Sequence, residues 1–376
     1  MDNSVVISTP PHVKSKRTTR GIMLDVCIAL LPCAIAGIVY FGLPAFIIEL
    51  CAVLSCVAVE FVYFFIANKG FSKKCKDAGK VCLRWWKQFD FTSVVTGLIL
   101  ALILPATVKW YEVIIGSLFA IAVVKMLFGG TGKNLVNPAS AGRVFMFLSF
   151  AISTYTACNI PALNFESGIF TDATNLSWLL TGDGNPTTKI TVLDLFLGTG
   201  VAGCIGETCK LAIIVGYIYL SVRNVIKWWQ PLLFVAVFGF TAVFMSGFAY
   251  VATGGYIFNM GLFLPHLFSG GVLFGAVFMF TDYVTSPKGV YGQIFYYVIA
   301  AVLVAVLRYF TKLEVTSFVI MLMNLFVPLI DRYFIRKPFG YKKEKKVKEK
   351  AQTNATAKIA DPVAPDANEK SDKEGV

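Results

Sequence analysis

Charge is scarce in this chain. Lys, Arg, Asp and Glu make up 15% of its 376 residues, whereas hydrophobic residues make up 56%, and the mean hydropathy is +0.69. A soluble domain of this length needs a much more polar surface, so that class is excluded. The composition instead predicts a polytopic protein embedded in a lipid bilayer.

Histidine and paired cysteine are also scarce. The chain has two histidines, His12 and His266, and its nine cysteines include no Cys-x-x-Cys pair. These absences argue against a histidine-rich haem or metal enzyme and against cysteine-ligated zinc or iron–sulfur clusters. The Gly132-Lys133 pair does not belong to a P-loop. That motif needs a glycine five residues before Gly132, where this chain has Leu127, and a serine or threonine after Lys133, where it has Asn134. Any redox chemistry therefore requires an organic cofactor.

Long apolar runs are abundant. In lipid, backbone polar groups must be hydrogen-bonded within the segment, so apolar runs of roughly 17–25 residues predict transmembrane helices. The ten predicted spans are 21–41, 44–67, 91–108, 111–128, 140–158, 191–221, 231–251, 267–285, 290–309 and 314–335. The sixth is too long for one straight helix and contains Gly198, Gly200, Gly203 and Gly206, so we expect a broken or re-entrant segment there.

The third to fifth spans weakly resemble the eighth to tenth. The sequence Asn-Leu-Val-Asn-Pro at 134–138 has a counterpart in Asn-Leu-Phe-Val-Pro at 324–328. Five spans separate the two, and an odd number per repeat forces opposite orientations, which predicts two inverted five-helix repeats. The expected divisions are a cytoplasmic N-terminal segment 1–20, a first repeat 21–158, a loop 159–190, a second repeat 191–338 and a disordered charged tail 339–376.

The basic residues predict the orientation. All but five of the 34 lysines and arginines lie near the N-terminus, in the loops that share its side, or in the C-terminal tail. The positive-inside rule then predicts that both termini are cytoplasmic and that loop 159–190 is extracytoplasmic. The net charge of +12 is mainly a topology signal, and no nucleic-acid partner is expected. The N-terminus has no cleavage pattern, so the first span is expected to be an anchor.

Two groups of polar residues are candidate functional sites. The loop 129–143 is rich in glycine and contains Asn134 and Asn137, which predicts a flavin, quinone or ion site, or else a tight turn that lets helices approach closely. Acidic residues also fall within or at the ends of spans, namely Asp25, Glu60, Glu207, Asp282 and Asp331. Such carboxylates are costly in lipid and serve as cation stations or proton relays.

Asp282 and Glu207 are the favoured carboxylates because each neighbours a predicted helix break. The alternative is pairing with Lys288 or Lys210. For Asp25 and Asp331, helix capping or ion pairing explains the residue equally well.

Four motifs together resemble a known family. They lie at 127–143, 205–208, 278–287 and 324–332. The chain, over roughly residues 10 to 338, is similar to the RnfD family of Rnf complexes, which is related to the NqrB component of the sodium-pumping NADH:quinone oxidoreductase. The resemblance implies a membrane subunit of an ion-translocating ferredoxin:NAD oxidoreductase in the cell (inner) membrane, assembled with subunits of the Rnf A, B, C, E and G types. The ferredoxin and NAD sites are expected on those other subunits.

The resemblance also implies a covalent cofactor. In that family a threonine in a Ser/Thr-Gly-Ala-Thr-like sequence carries FMN through a phosphoester bond, which an extracytoplasmic flavin transferase forms. The matching stretch here is Thr171-Asp172-Ala173-Thr174, which implies Thr174 as the attachment residue. The relationship to NqrB suggests that a second, non-covalent flavin binds near Asn137. The electrons are expected to drive Na⁺ or H⁺ movement, and the sequence leaves the choice open.

Two other functions remain open at this stage. Inverted repeats and broken helices are also typical of a secondary transporter or channel without a redox role. A purely scaffolding subunit is the third alternative. Flavin fluorescence of the denatured polypeptide separates the first function from the other two.

Overall fold

The structure is a computed structural model that describes residues 17–67, 78–150, 192–199, 203–251, 260–311 and 313–334. In these ranges every regular element is a helix. The predicted attachment residues Thr171, Asp172, Ala173 and Thr174 lie outside the described residues.

The helices are numbered in chain order. The first six are α1 Thr19–Phe41, α2 Leu43–Ala67, α3 Ala78–Gln88, α4 Thr92–Leu102, α5 Trp110–Leu118 and α6 Pro138–Ser149. The others are α7 Val192–Leu197, α8 Lys210–Val222, α9 Trp229–Val251, α10 Phe263–Phe268, α11 Val272–Phe274, α12 Val290–Thr311 and α13 Thr316–Tyr333. Two helices widen into π-helix at their ends, α5 over Phe119–Met126 and α11 over Gly275–Met279.

The class of fold is confirmed as helical and compatible with a polytopic membrane protein. Among the described residues five helices are long and apolar enough to cross a membrane, namely α1, α2, α9, α12 and α13. A sixth crossing is formed if the pair Met260–Phe268 and Val272–Met279, bent by 73°, is one span. The other four predicted spans coincide with shorter helices or run beyond the described residues. The count of ten and the inverted arrangement therefore stay predictions.

The predicted break in the sixth span is present. Helix α7 ends at Leu197, Gly198 adopts a φ of +83°, and α8 begins at Lys210. The end of α4 satisfies part of the backbone between them, because the N–H of Gly206 donates to the Leu102 carbonyl at 2.7 Å and that of Ile205 to the Leu104 carbonyl at 3.1 Å. Irregular backbone within a membrane protein is tolerated where protein groups bond to it in this way.

Glycine allows two close helix contacts. Helix α2 packs along α4, and α1 packs along α8. A Cβ at Gly97 on α4 would lie 2.8 Å from the Cα of Val53, and one at Gly216 on α8 would lie 2.5 Å from the carbonyl oxygen of Ala29. Both distances are below contact, so only glycine lets these backbones approach so closely.

The outward faces of the helices are apolar. Ile35, Val39 and Leu54 are more than half exposed, as expected for surfaces that face lipid. Aromatic and small aliphatic side chains fill the interior, where Phe234, Phe238, Phe274 and Phe280 are almost completely buried. Polar residues are also buried in that interior, and two groups of them are described below.

Candidate functional site

One polar region is a cleft at the end of the bundle where α1 and α4 begin, with a cavity volume of about 90 Å³. Its walls come from α1, α4, α8, both π-helical segments, and the loops before α6 and after the second π-helix. Polar lining residues are Thr92, Thr96, Lys125, Thr131, Asn134, Asn137, Thr281 and Asp282, and the apolar ones include Met23, Ile99, Val277 and Phe278. Mainly apolar walls with a few convergent polar groups are typical of a small-molecule site.

Asn137 forms the start of α6. Its side-chain oxygen accepts from the N–H groups of Ala139 at 3.0 Å and Ser140 at 3.4 Å, and Pro138 occupies the first helical position. This arrangement of Asn followed by Pro is a strong helix N-cap. Asn137 is almost fully buried, so the cap also places the N-terminal end of α6 at the cleft wall.

Asn324 on α13 meets Asn137. With the Asn324 amide oriented to satisfy its neighbours, its oxygen accepts from the Asn137 N–H at 3.0 Å and its nitrogen donates to the Thr285 carbonyl at 3.2 Å. These two residues belong to the short sequences that suggested an internal repeat. The structure brings them into direct contact beside the cleft.

Asn134 leaves an acceptor free for a ligand. Its side-chain oxygen is buried and has no hydrogen-bond partner in the described structure, and the residue lines the cleft. Gly130 and Gly132 precede it with φ values of +89° and +84°, a conformation that glycine adopts without strain. A buried polar atom without a partner destabilises the protein unless something binds it, so the Asn134 oxygen is suited to accept a hydrogen bond from a ligand or water in the cleft.

Lys125 is a site residue that the sequence pattern did not single out. Its ammonium group donates to the hydroxyls of Thr92 at 2.5 Å and Ser93 at 3.0 Å and pairs with Glu60 at 3.2 Å, and Ser93 also donates to Glu60. Its side chain is only 1% exposed. The π-helical turn carries it to the cleft wall, as π-helical insertions often do at functional sites. The sequence feature that could have identified it is that Lys125 is the single charged residue in the middle of an apolar run.

Asp282 lies on the same cleft. Its carboxylate accepts from the Val284 N–H at 3.2 Å and from the Thr285 hydroxyl at 3.2 Å. No pair with Lys288 is seen in the described part of the chain. The backbone N–H of Lys288 instead donates to Asp331 at 3.0 Å. Asp282 is thus held by two neutral donors, and Asp331 accepts from a backbone N–H in the loop before α12.

Glu207 belongs to a second polar region, towards the other ends of α1 and α4. One carboxylate oxygen accepts from the Cys204 N–H at 2.9 Å, and the other is buried without a partner among the described residues. Lys210 bonds to the backbone carbonyl of Glu207 rather than to its carboxylate, and donates to the Gly270 carbonyl at 3.1 Å. Nearby, Arg308 pairs with Glu314 at 3.4 Å.

Asp25 forms an ion pair near the edge of the bundle. It accepts from Arg223 at 3.1 and 3.3 Å and from the Tyr219 hydroxyl at 3.2 Å. The hydrogen bond and negative charge of Asp25 raise the pKa of Arg223, which follows the end of α8. Of the predicted site residues that the structure describes, only Asn134, Asn137 and Asp282 line the cleft. Glu207 is elsewhere, and Asp25 and Asp331 have structural partners.

These features define a helical membrane protein with a polar cleft between broken or widened helices. Comparison with known families identifies the class further, because residues 6–340 match the model of the NQR2, RnfD, RnfE family. The chain therefore belongs to this family, as its four motifs implied.

Curated relatives agree with this assignment. The chain is 35% identical over 348 residues to the D component of the Na(+)-translocating ferredoxin:NAD(+) oxidoreductase complex of Acetobacterium woodii, covering 91% of this chain and 98% of the relative. It is 31% identical to the D component of the proton-translocating ferredoxin:NAD(+) oxidoreductase complex of Clostridium ljungdahlii, covering 90% and 97%. It is 32% identical to the D component of the ion-translocating oxidoreductase complex of Stutzerimonas stutzeri, covering 85% and 91%.

Proposed function

We propose that this chain is the membrane component of the RnfD type in an ion-translocating ferredoxin:NAD oxidoreductase complex. The observation that carries the proposal is the family match over nearly the whole chain, together with relatives whose names state this assembly. Other subunits of the complex would be its partners and would carry the ferredoxin and NAD sites. The location that follows is the cell membrane, with both termini cytoplasmic.

The first part of the redox proposal is FMN bound covalently to Thr174. The threonine oxygen would be joined to the FMN phosphate by an extracytoplasmic flavin transferase acting on loop 159–190. This step rests on the stretch Thr171-Asp172-Ala173-Thr174 in the sequence and on the predicted sidedness of that loop. The phosphoester tether would keep the ring next to the membrane surface while leaving it free to exchange electrons.

The second part is a non-covalent flavin in the cleft. A flavin, when bound, supplies the capacity to accept and donate electrons. The lining of the cleft suits such a group, because its mainly apolar walls can lie against a flat ring and a few polar side chains converge on it. The free oxygen of Asn134 can accept a ring N–H, and the Thr131 hydroxyl can donate to or accept from the ligand.

The third part is coupling to Na⁺ or H⁺ through carboxylates. Asp282 has the best position, since it lines the cleft and its partners are two neutral donors, so a proton or cation can join it without displacing an existing ion pair. Charges interact strongly in a poorly hydrated site, so negative charge arriving in the cleft would favour cation or proton uptake at Asp282. The names of two relatives specify sodium in one case and protons in the other.

The covalent assignment is tested by in-gel flavin fluorescence. The full chain is expressed with its transferase, denatured and viewed under ultraviolet light, in three forms: unchanged, Thr174→Val and Thr171→Val. We expect a fluorescent band for the unchanged chain and for Thr171→Val, and a dark band for Thr174→Val. A dark band for the unchanged chain would favour a transporter or scaffold without a redox role.

The coupling assignment is tested in the reconstituted complex. Asp282→Asn keeps the size of the side chain and removes its charge, and Asp331→Asn is the matched control. We expect Asp282→Asn to reduce ion uptake per electron transferred, and Asp331→Asn to have a much smaller effect. If the two variants translocate ions equally well, Asp282 has no coupling role.

A further inference from the structure

The short helix α3, which lies between α2 and α4 in the chain, has two distinct faces. At 100° per residue, Val81, Cys82, Leu83, Trp85 and Trp86 fall on one broad arc, and Arg84 and Lys87 fall on the opposite arc. The family assignment and the proposed redox function do not use this helix. Its surface therefore needs a separate explanation.

Part of the apolar arc attaches α3 to the bundle. The Trp85 ring lies 5.1 Å from that of Phe61 on α2, edge to face, and 5.0 Å from that of Phe89. Val81 and Phe89 are buried. Phe89 in turn contacts Phe91 at 5.1 Å, so a chain of rings connects α2, α3 and the start of α4.

The rest of the apolar arc has no cover among the described residues. Leu83 is 62% exposed and Trp86 is 61% exposed, and Cys82 beside them is exposed as well. The last turns of α2, against which α3 packs, also expose Val62 and Ile66. Helix α2 has 25 residues, a length of about 37 Å. That exceeds a hydrocarbon core of about 30 Å, so these turns reach the level of the lipid headgroups.

The opposite arc is basic. Arg84 and Lys87 are exposed, and neither forms an ion pair within the described residues. The sequence adds Lys69, Lys73, Lys74, Lys76 and Lys80, and between residues 68 and 88 the single acidic residue is Asp77. This excess of positive charge complements an anionic surface.

We propose that α3 binds anionic phospholipid headgroups in the leaflet next to it. Trp86 and Leu83 would enter the boundary between headgroups and acyl chains, and Arg84 and Lys87 would contact lipid phosphates. The bilayer is the occupant because α2 already crosses it and holds α3 at headgroup depth. A tryptophan beside exposed leucine and basic residues is the composition that suits this layer.

Fluorescence quenching by brominated lipids tests the proposal. The full chain is reconstituted in phosphatidylcholine vesicles that contain either brominated phosphatidylglycerol or an equal amount of brominated phosphatidylcholine. The difference between the unchanged chain and Trp86→Phe isolates the emission of Trp86. We expect stronger quenching of that emission by the brominated anionic lipid, because each basic residue enriches anionic lipid locally by about fivefold.

The variant Arg84→Gln/Lys87→Gln should remove most of that preference. The matched control is Lys288→Gln/Arg332→Gln, which removes two exposed charges outside α3 and should leave the preference intact. Equal quenching of the unchanged chain by both lipids would overturn the proposal. So would an equal loss of preference in both double variants.

Crosslinking in the assembled complex tests for a protein occupant. A photoreactive residue is introduced as Leu83→p-benzoylphenylalanine, and the products are separated by mass after irradiation in native membranes. Lipid adducts are expected. A crosslink to another protein of the complex would overturn the proposal and show that α3 is a contact between subunits. None of these results depends on flavin content or on ion transport, so the proposed function is tested separately.

Discussion

Two buried cations, Lys125 and Arg308, lie in different polar regions of the molecule and are bound differently. Lys125 donates to side chains, the hydroxyls of Thr92 and Ser93 and the carboxylate of Glu60. Arg308 donates mainly to backbone, to the carbonyls of Ser269 at 2.6 Å and His266 at 3.2 Å. Their side chains are 1% and 2% exposed, so burial does not distinguish them.

The difference lies in what each cation holds in place. Arg308 holds the bend between α10 and α11, where carbonyls released from helical bonding need a donor. Its pairing with Glu314 balances the charge, and the surrounding cavity is small. Lys125 borders the polar cleft, and its hydroxyl partners can rearrange when a ligand binds. We therefore expect the Arg308 region to be structural and the Lys125 region to be functional.

The largest effect is expected for Arg308→Leu. The change removes a donor from two buried carbonyls and leaves the Glu314 carboxylate without its cation, and breaking a buried pair in this way costs about 3–5 kcal/mol. The variant should give little folded protein, as measured by yield and thermal unfolding in detergent. Arg332→Leu, at an exposed arginine, is the control. Comparable stability of the two variants would contradict a structural role for Arg308.

A smaller loss of stability is expected for Lys125→Met. Lys125 donates to the hydroxyls of Thr92 and Ser93, which can rotate to other partners, whereas the carbonyls bound by Arg308 cannot, so we expect a loss of about 1–3 kcal/mol. Adding Glu60→Gln should recover some of this loss, because the second change removes the unpaired charge. Thermal unfolding of the single and double variants measures the coupling. No recovery would mean that Glu60 and Lys125 act independently.

The smallest change in stability, with a clear loss of ligand, is expected for Asn134→Leu. This residue has a free buried acceptor, so its removal should lower acid-extractable flavin per polypeptide while the melting temperature stays near that of the unchanged chain. Asn137→Ala is the comparison, because it also removes a helix cap worth about 1 kcal/mol. Unchanged extractable flavin in Asn134→Leu would argue against a flavin in the cleft.

Much of the architecture could be predicted from the sequence. The helices α1, α2, α9, α12 and α13 appear within two or three residues of their predicted bounds, because long apolar runs can satisfy their backbone in lipid only as helices. The break after Leu197 was also predicted, since closely spaced glycines mark irregular backbone. The site was predicted less completely, because Asn134, Asn137 and Asp282 were chosen but Lys125 was not.

The roles of the acidic residues could not be separated from the sequence. Asp25, Glu207, Asp282 and Asp331 all lie in or next to apolar runs, and the sequence does not say which cations they meet. In the fold, Asp25 meets Arg223, Asp331 receives the N–H of Lys288, and Asp282 faces the cleft with neutral donors only. The partners of Asp25 and Asp331 are distant in the chain, and those of Asp282 lie in a turn whose shape cannot be read from hydropathy.

The sequence by itself determined that the chain is a helical membrane protein of this family, because hydropathy and short motifs are local properties of the chain. The tertiary structure alone decided that Lys125 pairs with Glu60, that Asn324 meets Asn137, and that Asp282 shares a cleft with Asn134 while Glu207 does not. These contacts depend on how broken and widened helices pack, and helix packing depends on side-chain shapes from segments far apart in the chain.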